Sequence, residues 1–363
     1  MAVNEPGSGR GVRVRSIATP LVGILLLAAG GAAYVWRAIH EPYSGFDGEI
    51  FVPIEKGSTS AEIARLLASR GVIRDEWRFM AARALRPSVV LQAGEYEFRE
   101  PASVWQIQDR FIGGDVYYYA VTIPEGSNLF DTAKILASLD WIAEEDVIAE
   151  AQSPSLIADL DPAAENLEGY LFPSTYHVTR GASAGEVCRM LTAEFRKTWA
   201  SLGSGAAVRD TVTLASLVEK ETGQGGERPL VSSVFHNRLR RGMRLECDPT
   251  VIYAAILEGR YDGVINQSDL DSPHPYNTYR HTGLPPGPIA SPGAAALRAA
   301  LEPEESGYLF FVAKPDGSGG HEFSETLSAH NRAVARYRRG IREAKRQETA
   351  QRVSSPEGAG ENN

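Results

Sequence analysis

Residues 211–222 read TVTLASLVEKET and carry the pattern on which the rest of the interpretation depends. Leu214, Leu217, Val218 and Glu221 stand at positions i, i+3, i+4 and i+7, which places them on one face of an α-helix. Because three of these four side chains are aliphatic, we expect that face to be buried. Glu221 therefore occupies a position where an apolar side chain is usual.

Glycines at positions 223, 225 and 226 follow directly, so we expect the helix to end there and Glu221 to lie in its last turn. Apolar surroundings and the negative end of the helix dipole both raise the pKa of a carboxyl group. Such a carboxyl can protonate a glycosidic oxygen near neutral pH. The alternative is a helix-end glutamate that reaches solvent past the glycines. Glu219, roughly 160–200° away around the helix axis, is expected on the opposite, wetter face.

The N-terminal region predicts a membrane anchor. The uncharged run from Ile17 to Trp36 can cross a hydrocarbon core, which takes about 20 residues. Arginines at positions 10, 13 and 15 predict that residues 1–16 form a cytoplasmic tail and that the rest of the chain is exported. The alternative is a cleaved signal peptide with small residues at 31–33, although the run exceeds the usual signal core of about 7–15 residues.

An internal similarity predicts small α+β units. Residues 52–69 (VPIEKGSTSAEIARLLAS) resemble residues 121–138 (VTIPEGSNLFDTAKILAS) at a constant offset of 69. Each copy reads as a strand, a turn at glycine and an amphipathic helix, with Ser or Thr after the glycine available to cap the helix. The alternative is one structural unit used twice, with no binding role. We expect a linker over 37–48, a small module over 49–120, a main domain over 121–340 and a disordered tail over 341–363.

Net charge, cysteines and histidines show which binding functions the sequence does not support. The formal net charge of −9 argues against a nucleic-acid partner, which needs a basic surface. Two cysteines, Cys188 and Cys247, make neither a zinc pattern nor a disulfide framework; we read them as unpaired, with a single bridge left open. His321 lacks the second histidine at i+4 that a zincin helix carries, so neither His321 nor His330 predicts a metal site.

The central segment resembles the catalytic segment of the MltG/YceG-like endolytic murein transglycosylases. Further matches follow in the family's order. They comprise residues 167–173, Glu227-Arg228, 234–239, 242–245, 248–251, 276–279, 283–288, Pro292-Gly293, 308–312 and 321–331. The resemblance covers roughly residues 17–340 and implies an α+β chain. It would comprise a transmembrane helix over 17–36, a LysM-like module and a mixed α/β catalytic domain with a lytic-transglycosylase-like active-site helix.

By this resemblance, Glu221 is the single catalytic acid/base. It would protonate the oxygen between N-acetylmuramic acid (MurNAc) and N-acetylglucosamine (GlcNAc). It would then take the proton of the MurNAc C6 hydroxyl as that group attacks C1, leaving a 1,6-anhydro end without cofactor, metal or water. The implied partners are peptidoglycan strands, the inner membrane and penicillin-binding proteins. The sequence departs from the family at Glu246-Cys247 and at Ser174.

Further residues are expected to bind substrate. The candidates are Asn277, Tyr279, Tyr276, Asp248, Glu168, Tyr170 and Glu246. An Asn amide can meet N-acetyl groups and a Tyr ring can stack on sugar, whereas Asp248 followed by Pro249 reads first as a helix N-cap. Three other functions stay open: a muramidase that uses water, a non-catalytic peptidoglycan-binding scaffold, and a small-molecule lyase, which export disfavours.

Overall fold

The computed structural model describes residues 18–203 and 205–354, which fall into two compact units that divide between Tyr118 and Tyr119. The architecture is mixed α+β, as the sequence predicted, with one long apolar helix at the N-terminal end of the described chain. The cytoplasmic tail predicted for residues 1–16 lies outside the described residues, as does Ile17.

The first unit is built on a two-stranded sheet flanked by helices. Its elements are α1 (Ala18–His40), β1 (Ile50–Ile54), α2 (Ser60–Ser69), α3 (Glu76–Leu85), β2 (Gly94–Phe98) and α4 (Val104–Gly113). Strands β1 and β2 pair antiparallel, with Ile50 opposite Phe98 and Ile54 opposite Gly94. Its core includes Val52, Leu67, Phe79, Tyr96 and Phe111.

The second unit holds the remaining elements. The first group is β3 (Tyr118–Thr122), which begins at the boundary, α5 (Leu129–Leu136), α6 (Glu144–Ala151), β4 (Thr175–Thr179), α7 (Ala184–Ser201), α8 (Val208–Glu221) and α9 (Arg228–Arg240). The second group is α10 (Asp248–Leu257), α11 (Gln267–Leu270), α12 (Ala294–Leu301), β5 (Phe310–Ala313), β6 (His321–Ser324) and α13 (Leu327–Ser354). Strand β3 pairs with β4, and β5 pairs antiparallel with β6. Short 3-10 turns lie at Pro154–Leu156 and Gly225–Glu227.

Both copies of the repeat form a strand, a glycine turn and a capped helix. Gly57 and Gly126 adopt φ values of 88° and 77°, a left-handed conformation that favours glycine. Thr59 caps α2 in a capping box with Glu62. In the second copy Asn128 caps α5 rather than a serine or threonine. The predicted strand, glycine turn and helix are therefore confirmed in both copies. The prediction of a serine or threonine cap is wrong for the second copy, where Asn128 caps the helix.

Two boundaries differ from the sequence expectations. Helix α1 continues to His40, and Ala38 and Ile39 are buried in the first unit, so the expected linker from residue 37 starts with helix. Helix α13 runs to Ser354, so residues 341–354 are helical rather than irregular. Arg, Glu, Lys and Ala dominate that stretch, and these residues have high helix propensity. Residues 355–363 lie outside the described range.

Candidate active site

Helix α8 is the element that positions Glu221. Its residues from Thr211 to Val218 are all buried, and the helix ends at Glu221, with Thr222 in an extended conformation as C-cap. Leu214, Leu217 and Val218 are at most 3% exposed. The predicted helix, its apolar face and the place of Glu221 in its last turn are confirmed.

The Glu221 carboxyl lies in a setting that favours its neutral form. Burial raises its pKa, and the negative charge of Asp248 acts in the same direction. A hydrogen bond from the Cys247 thiol and the positive charges of His321 and Arg238 act against this, but the net pKa remains raised. A raised pKa keeps the carboxyl protonated to higher pH, which is the direction that a general acid requires.

The Cys247 thiol is held in place by its own backbone. The Cys247 amide donates to Thr278 Oγ1 at 3.0 Å, and the Cys247 carbonyl accepts from Thr250 Oγ1 at 2.7 Å. Glu246, directly before it, has φ 49° and is the one non-glycine residue in the described chain with positive φ. Such strained residues cluster at functional sites. The chain is thus bent so that a buried thiol meets the end of α8.

Asp248 and Tyr279 form a second polar pair beside Glu221. Tyr279 Oη donates to Asp248 Oδ1 at 2.5 Å. Burial raises the pKa of Tyr279, and the Asp248 hydrogen bond and the negative charges of Asp248 and Glu221 act in the same direction. Asp248 is exposed and stands as the first residue of α10, with Cys247 at the N-cap position. The expectation that Asp248 is the N-cap is therefore wrong, and its carboxylate is available for other contacts.

Two basic side chains stand around this cluster. Arg238 Nη1 donates to the carbonyl oxygen of Leu245 at 2.7 Å and lies 3.3 Å from Glu246 Oε2. The His321 ring is held by Glu227, with 2.8 Å between Nδ1 and Oε2, and the His321 amide donates to the same carboxylate at 2.9 Å. His321 therefore has a fixed orientation, which the sequence pattern did not indicate.

Glu219 is the clearest correction to the sequence interpretation. Its side chain is only 4% exposed, and Oε1 lies 2.7 Å from Arg228 Nη2. Its second oxygen accepts a hydrogen bond from the Gly293 amide, just before α12, at 3.0 Å. The face that carries Glu219 thus meets the start of α9 and the start of α12, so it is covered and is not the wetter face that was expected.

The sequence pattern of the YceG-like family matches residues 52–336. The chain belongs to the YceG-like family. It is similar to the endolytic murein transglycosylase of Bacillus subtilis, at 32% identity over 333 residues, covering 86% of this chain and 91% of that protein. A protein of the same description from Streptococcus pneumoniae is 28% identical over 87% of this chain, which spans 64% of its length.

A solved structure agrees with this assignment. The crystal structure of a YceG-like protein from Listeria monocytogenes has 31% sequence identity to this chain and a TM-score of 0.51, covering 78% of this chain and 98% of that one. The family resemblance seen in the sequence is thus confirmed.

Not all candidate residues of this YceG-like chain lie near Glu221. The cluster at the end of α8 brings together Glu221, Asp248, Tyr279 and, through Arg238, Glu246. The other candidates, Asn277, Glu168, Tyr170 and Tyr276, contact other residues of the unit.

Asn277 is completely buried and serves its own loop. Its Nδ2 donates to the carbonyl oxygens of Leu270 and Ser272 at 3.0 and 2.8 Å, and its Oδ1 accepts from the Tyr279 amide at 2.9 Å. An amide committed to the backbone in this way does not fit the expected contact with N-acetyl groups. Asn277 instead fixes the loop that carries Tyr279.

Glu168 and Tyr170 are core residues. The Glu168 carboxyl accepts from the Leu129 amide at the start of α5 at 2.9 Å and from Tyr253 Oη at 3.0 Å, and burial raises its pKa to about 7. Tyr170 Oη donates to Asp161 Oδ2 at 2.6 Å. Both are at most 2% exposed, which does not fit direct contact with a polymer.

Tyr276 is half-buried, with its ring centroid 5.1 Å from that of Tyr253. Gly169, between Glu168 and Tyr170, has φ 85° and lies close to Pro288. A Cβ at position 169 would stand 2.5 Å from Pro288 Cβ. The glycine is therefore required for the packing of this segment.

Cys188 and Cys247 are both free and buried, so the reading of the two cysteines as unpaired is confirmed. Within residues 18–203 and 205–354, no group of three or more His, Cys, Asp or Glu side chains is arranged to hold a metal ion.

Proposed function

We propose that this chain is an endolytic murein transglycosylase that uses Glu221 as its catalytic acid/base. The observation that carries the proposal is a carboxyl group at the end of a buried helix, whose pKa is raised by burial and which accepts a hydrogen bond from the Cys247 thiol. Membership of the YceG-like family and similarity to proteins described as endolytic murein transglycosylases support the reaction and the polymer.

The reaction follows from one carboxyl group in two protonation states. Neutral Glu221 gives its proton to the oxygen between MurNAc and GlcNAc as the glycosidic bond breaks. The resulting carboxylate, stabilised by the Cys247 thiol and the positive charge of Arg238, accepts the proton of the MurNAc C6 hydroxyl as that oxygen bonds to C1. The products are a GlcNAc end and a 1,6-anhydro-MurNAc end, and Glu221 is neutral again.

The residues nearest Glu221 are proposed to hold the sugar. Asp248 and Glu246 are exposed and Tyr279 is half-buried, so these three side chains can meet a strand that reaches Glu221. Tyr279, with its hydroxyl bound to Asp248, offers a ring face to a sugar. Asn277, Glu168, Tyr170 and Tyr276 are proposed to support the site from behind, because their polar atoms are used within the fold or their rings are packed.

The rest of the chain is proposed to bring this site to the cell wall. Helix α1 would be a single-pass anchor in the inner membrane, with the catalytic domain (residues 121–340) outside the cytoplasm. The first unit would be LysM-like. A groove of about 550 Å³ lies between the β1–α2 turn and α2, lined among others by Ile54, Gly57 and Arg70. The role would be to end glycan elongation beside penicillin-binding proteins.

The products test the proposal. Purified full-length chain in detergent would digest glycan strands, and mass spectrometry would read the new ends, with Glu221→Gln as the inactive comparison. Glu194→Gln, at a surface glutamate that pairs with Lys197, is the matched control and should behave as wild type. Anhydro ends within strands support the proposal. Reducing ends would indicate a muramidase, in which the nearby Asp248 carboxylate could activate water. Unchanged cleavage by Glu221→Gln would refute the assignment of Glu221.

A further inference from the structure

Helix α1 enters the first unit without a break. Ala38 and Ile39, near its end, are 3% and 0% exposed and belong to the core of that unit. Arg78 of α3 donates to the Ala38 carbonyl oxygen at 3.3 Å and to Glu41 Oε2 at 3.0 Å. The long apolar helix and the small module therefore form one continuous body at this point.

If α1 crosses a membrane, it leaves the lipid before Arg37 and the buried Ala38. The stretch Ala18–Trp36 that precedes the buried turn has 19 residues (36 − 18 + 1). At about 1.5 Å per residue it is about 28 Å long, which matches a hydrocarbon core of about 30 Å. If α1 spans the membrane, the lipid–water boundary falls at Tyr34–Trp36, where the module begins.

Aromatic side chains gather at this level. Tyr34 and Trp36 are 62% and 59% exposed. Trp77, at the start of α3, stacks on Tyr34 with ring centroids 6.1 Å apart, and Trp105 of α4 lies 6.3 Å from Trp36. Trp and Tyr concentrate at membrane–water boundaries because their rings have an apolar body and a polar edge.

Helix α3 lies across the end of α1 and presents an apolar outer face. Arg86, just past the end of α3, covers the Trp105 ring at 3.4 Å, while Trp77 at its start meets Tyr34. The start of α3 thus contacts α1, and its end contacts α4. Trp77, Met80 and Ala84 stand at i, i+3 and i+7 and are all exposed, with Trp77 and Met80 at 42% and 40%.

Charges of both signs border this face, and Arg86 pairs with Asp109 at 2.6 Å. Arg37 and Arg74 are exposed and both act on the Glu41 carboxylate at the end of α1, and Arg86 follows α3. Arginine side chains at this level can pair with lipid phosphates as well as with these carboxylates. An exposed apolar face at the level where the anchor helix would leave the lipid is the chemistry of a helix that lies in the lipid–water boundary.

We propose that the outer face of α3, formed by Trp77, Met80 and Ala84, is a docking surface for the membrane that α1 crosses. This inference rests on the proposed role of α1 as anchor. The face seats the module in the headgroup layer, with Tyr34 and Trp36 at the same depth. The module is then held at a fixed height on the membrane rather than on a flexible tether.

Depth-dependent quenching tests the proposal. The full-length chain would carry nitrobenzoxadiazole on a single introduced cysteine, Ala84→Cys or Leu26→Cys, which a water-soluble maleimide can label selectively because Cys188 and Cys247 are buried. The protein would be placed in vesicles of phosphatidylethanolamine and phosphatidylglycerol with lipids spin-labelled at the headgroup or in mid-chain. We expect the Ala84 reporter to lose most of its fluorescence to the headgroup quencher and the Leu26 reporter to the mid-chain quencher.

The outcomes separate the two ideas. Quenching at Leu26 without quenching at Ala84 overturns the docking surface and leaves the anchor intact; no quenching at Leu26 refutes the anchor itself. A reporter at Ala84 that responds to the protein-to-lipid ratio instead of to the quencher shows a second copy on this face and also overturns the proposal. Trp77→Gln/Met80→Gln should abolish headgroup quenching at Ala84, whereas Leu257→Gln, an exposed leucine in the second unit, should leave it unchanged.

Discussion

Replacing Cys247 should move the pH dependence of catalysis in an ordered way. The Cys247 thiol donates a hydrogen bond to Glu221 and so favours the ionised carboxyl, lowering its pKa relative to the same site without a donor. Cys247→Ala removes the donor, so the pKa of Glu221 rises. Cys247→Ser supplies a stronger donor, so the pKa falls. The general acid must be protonated, and activity is therefore lost as the pH rises through the pKa of Glu221.

The size of the effect follows from the strength of the contact. Hydrogen bonds to charged groups contribute about 1.5–3 kcal/mol, and a thiol is a weak donor, so about 1 kcal/mol is a reasonable value here. At 1.36 kcal/mol per pKa unit, the alkaline limb of kcat/KM should move up by roughly 0.7 pH unit in Cys247→Ala. We expect the alkaline limb of kcat/KM to lie at the lowest pH in Cys247→Ser, at an intermediate pH in the wild type and at the highest pH in Cys247→Ala.

The assay is the initial rate of glycan-strand cleavage at low substrate concentration across the pH range. Cys188→Ala is the matched control, because Cys188 is equally buried but lies in α7 and makes no contribution to the pKa of Glu221. A structural role for Cys247 alone would lower the rate at every pH without moving the limb. Limbs that coincide in all three proteins, or an Ala limb below that of wild type, would refute the reasoning.

Three further results are expected. Burial raises the pKa of Glu168 in the folded protein to about 7 from its ordinary 4.5, so its contribution to the free energy of unfolding is complete below pH 4.5 and is lost as the pH rises towards 7. Denaturant titrations should show a smaller fall of the free energy of unfolding with pH in Glu168→Gln than in the wild type. The same fall in both proteins would contradict this. Arg228→Met leaves the buried Glu219 carboxylate without its ion-pair partner and should lower the free energy of unfolding by about 3–5 kcal/mol. The double variant Arg228→Met/Glu219→Leu should recover most of that loss. Full stability of the single variant would count against a stabilising ion pair. Tyr279→Phe should raise KM more than it lowers kcat if the ring and its Asp248 bond hold sugar, and an effect on kcat alone would place Tyr279 elsewhere in the mechanism.

Local signals in the sequence were sufficient to predict helix α8. The spacing of Leu214, Leu217 and Val218 identified the buried face, and the glycines after Glu221 identified the end of α8. The two strand–turn–helix copies were equally readable, because a glycine turn and a capping residue act over a few neighbouring residues. Each of these features depends on short-range geometry that the sequence records directly.

Features that depend on distant partners could not be predicted. The face that carries Glu219 is buried only because α9 and α12 cover it. Asn277 was expected to be a ligand because its amide is polar, yet the fold uses that amide to close its own loop. The contact between Cys247 and Glu221 depends on Thr278, 31 residues further along the chain, which fixes the Cys247 backbone.

The state of the Glu221 carboxyl can be measured directly by infrared pH-difference spectroscopy on the full-length chain, with Glu221→Gln subtracted. The account predicts a protonated-carboxyl band that belongs to Glu221 and titrates above its ordinary pKa of 4.5, because burial disfavours the charged form. A band that disappears at or below that value would show an ionised carboxylate at neutral pH and would contradict its role as the general acid.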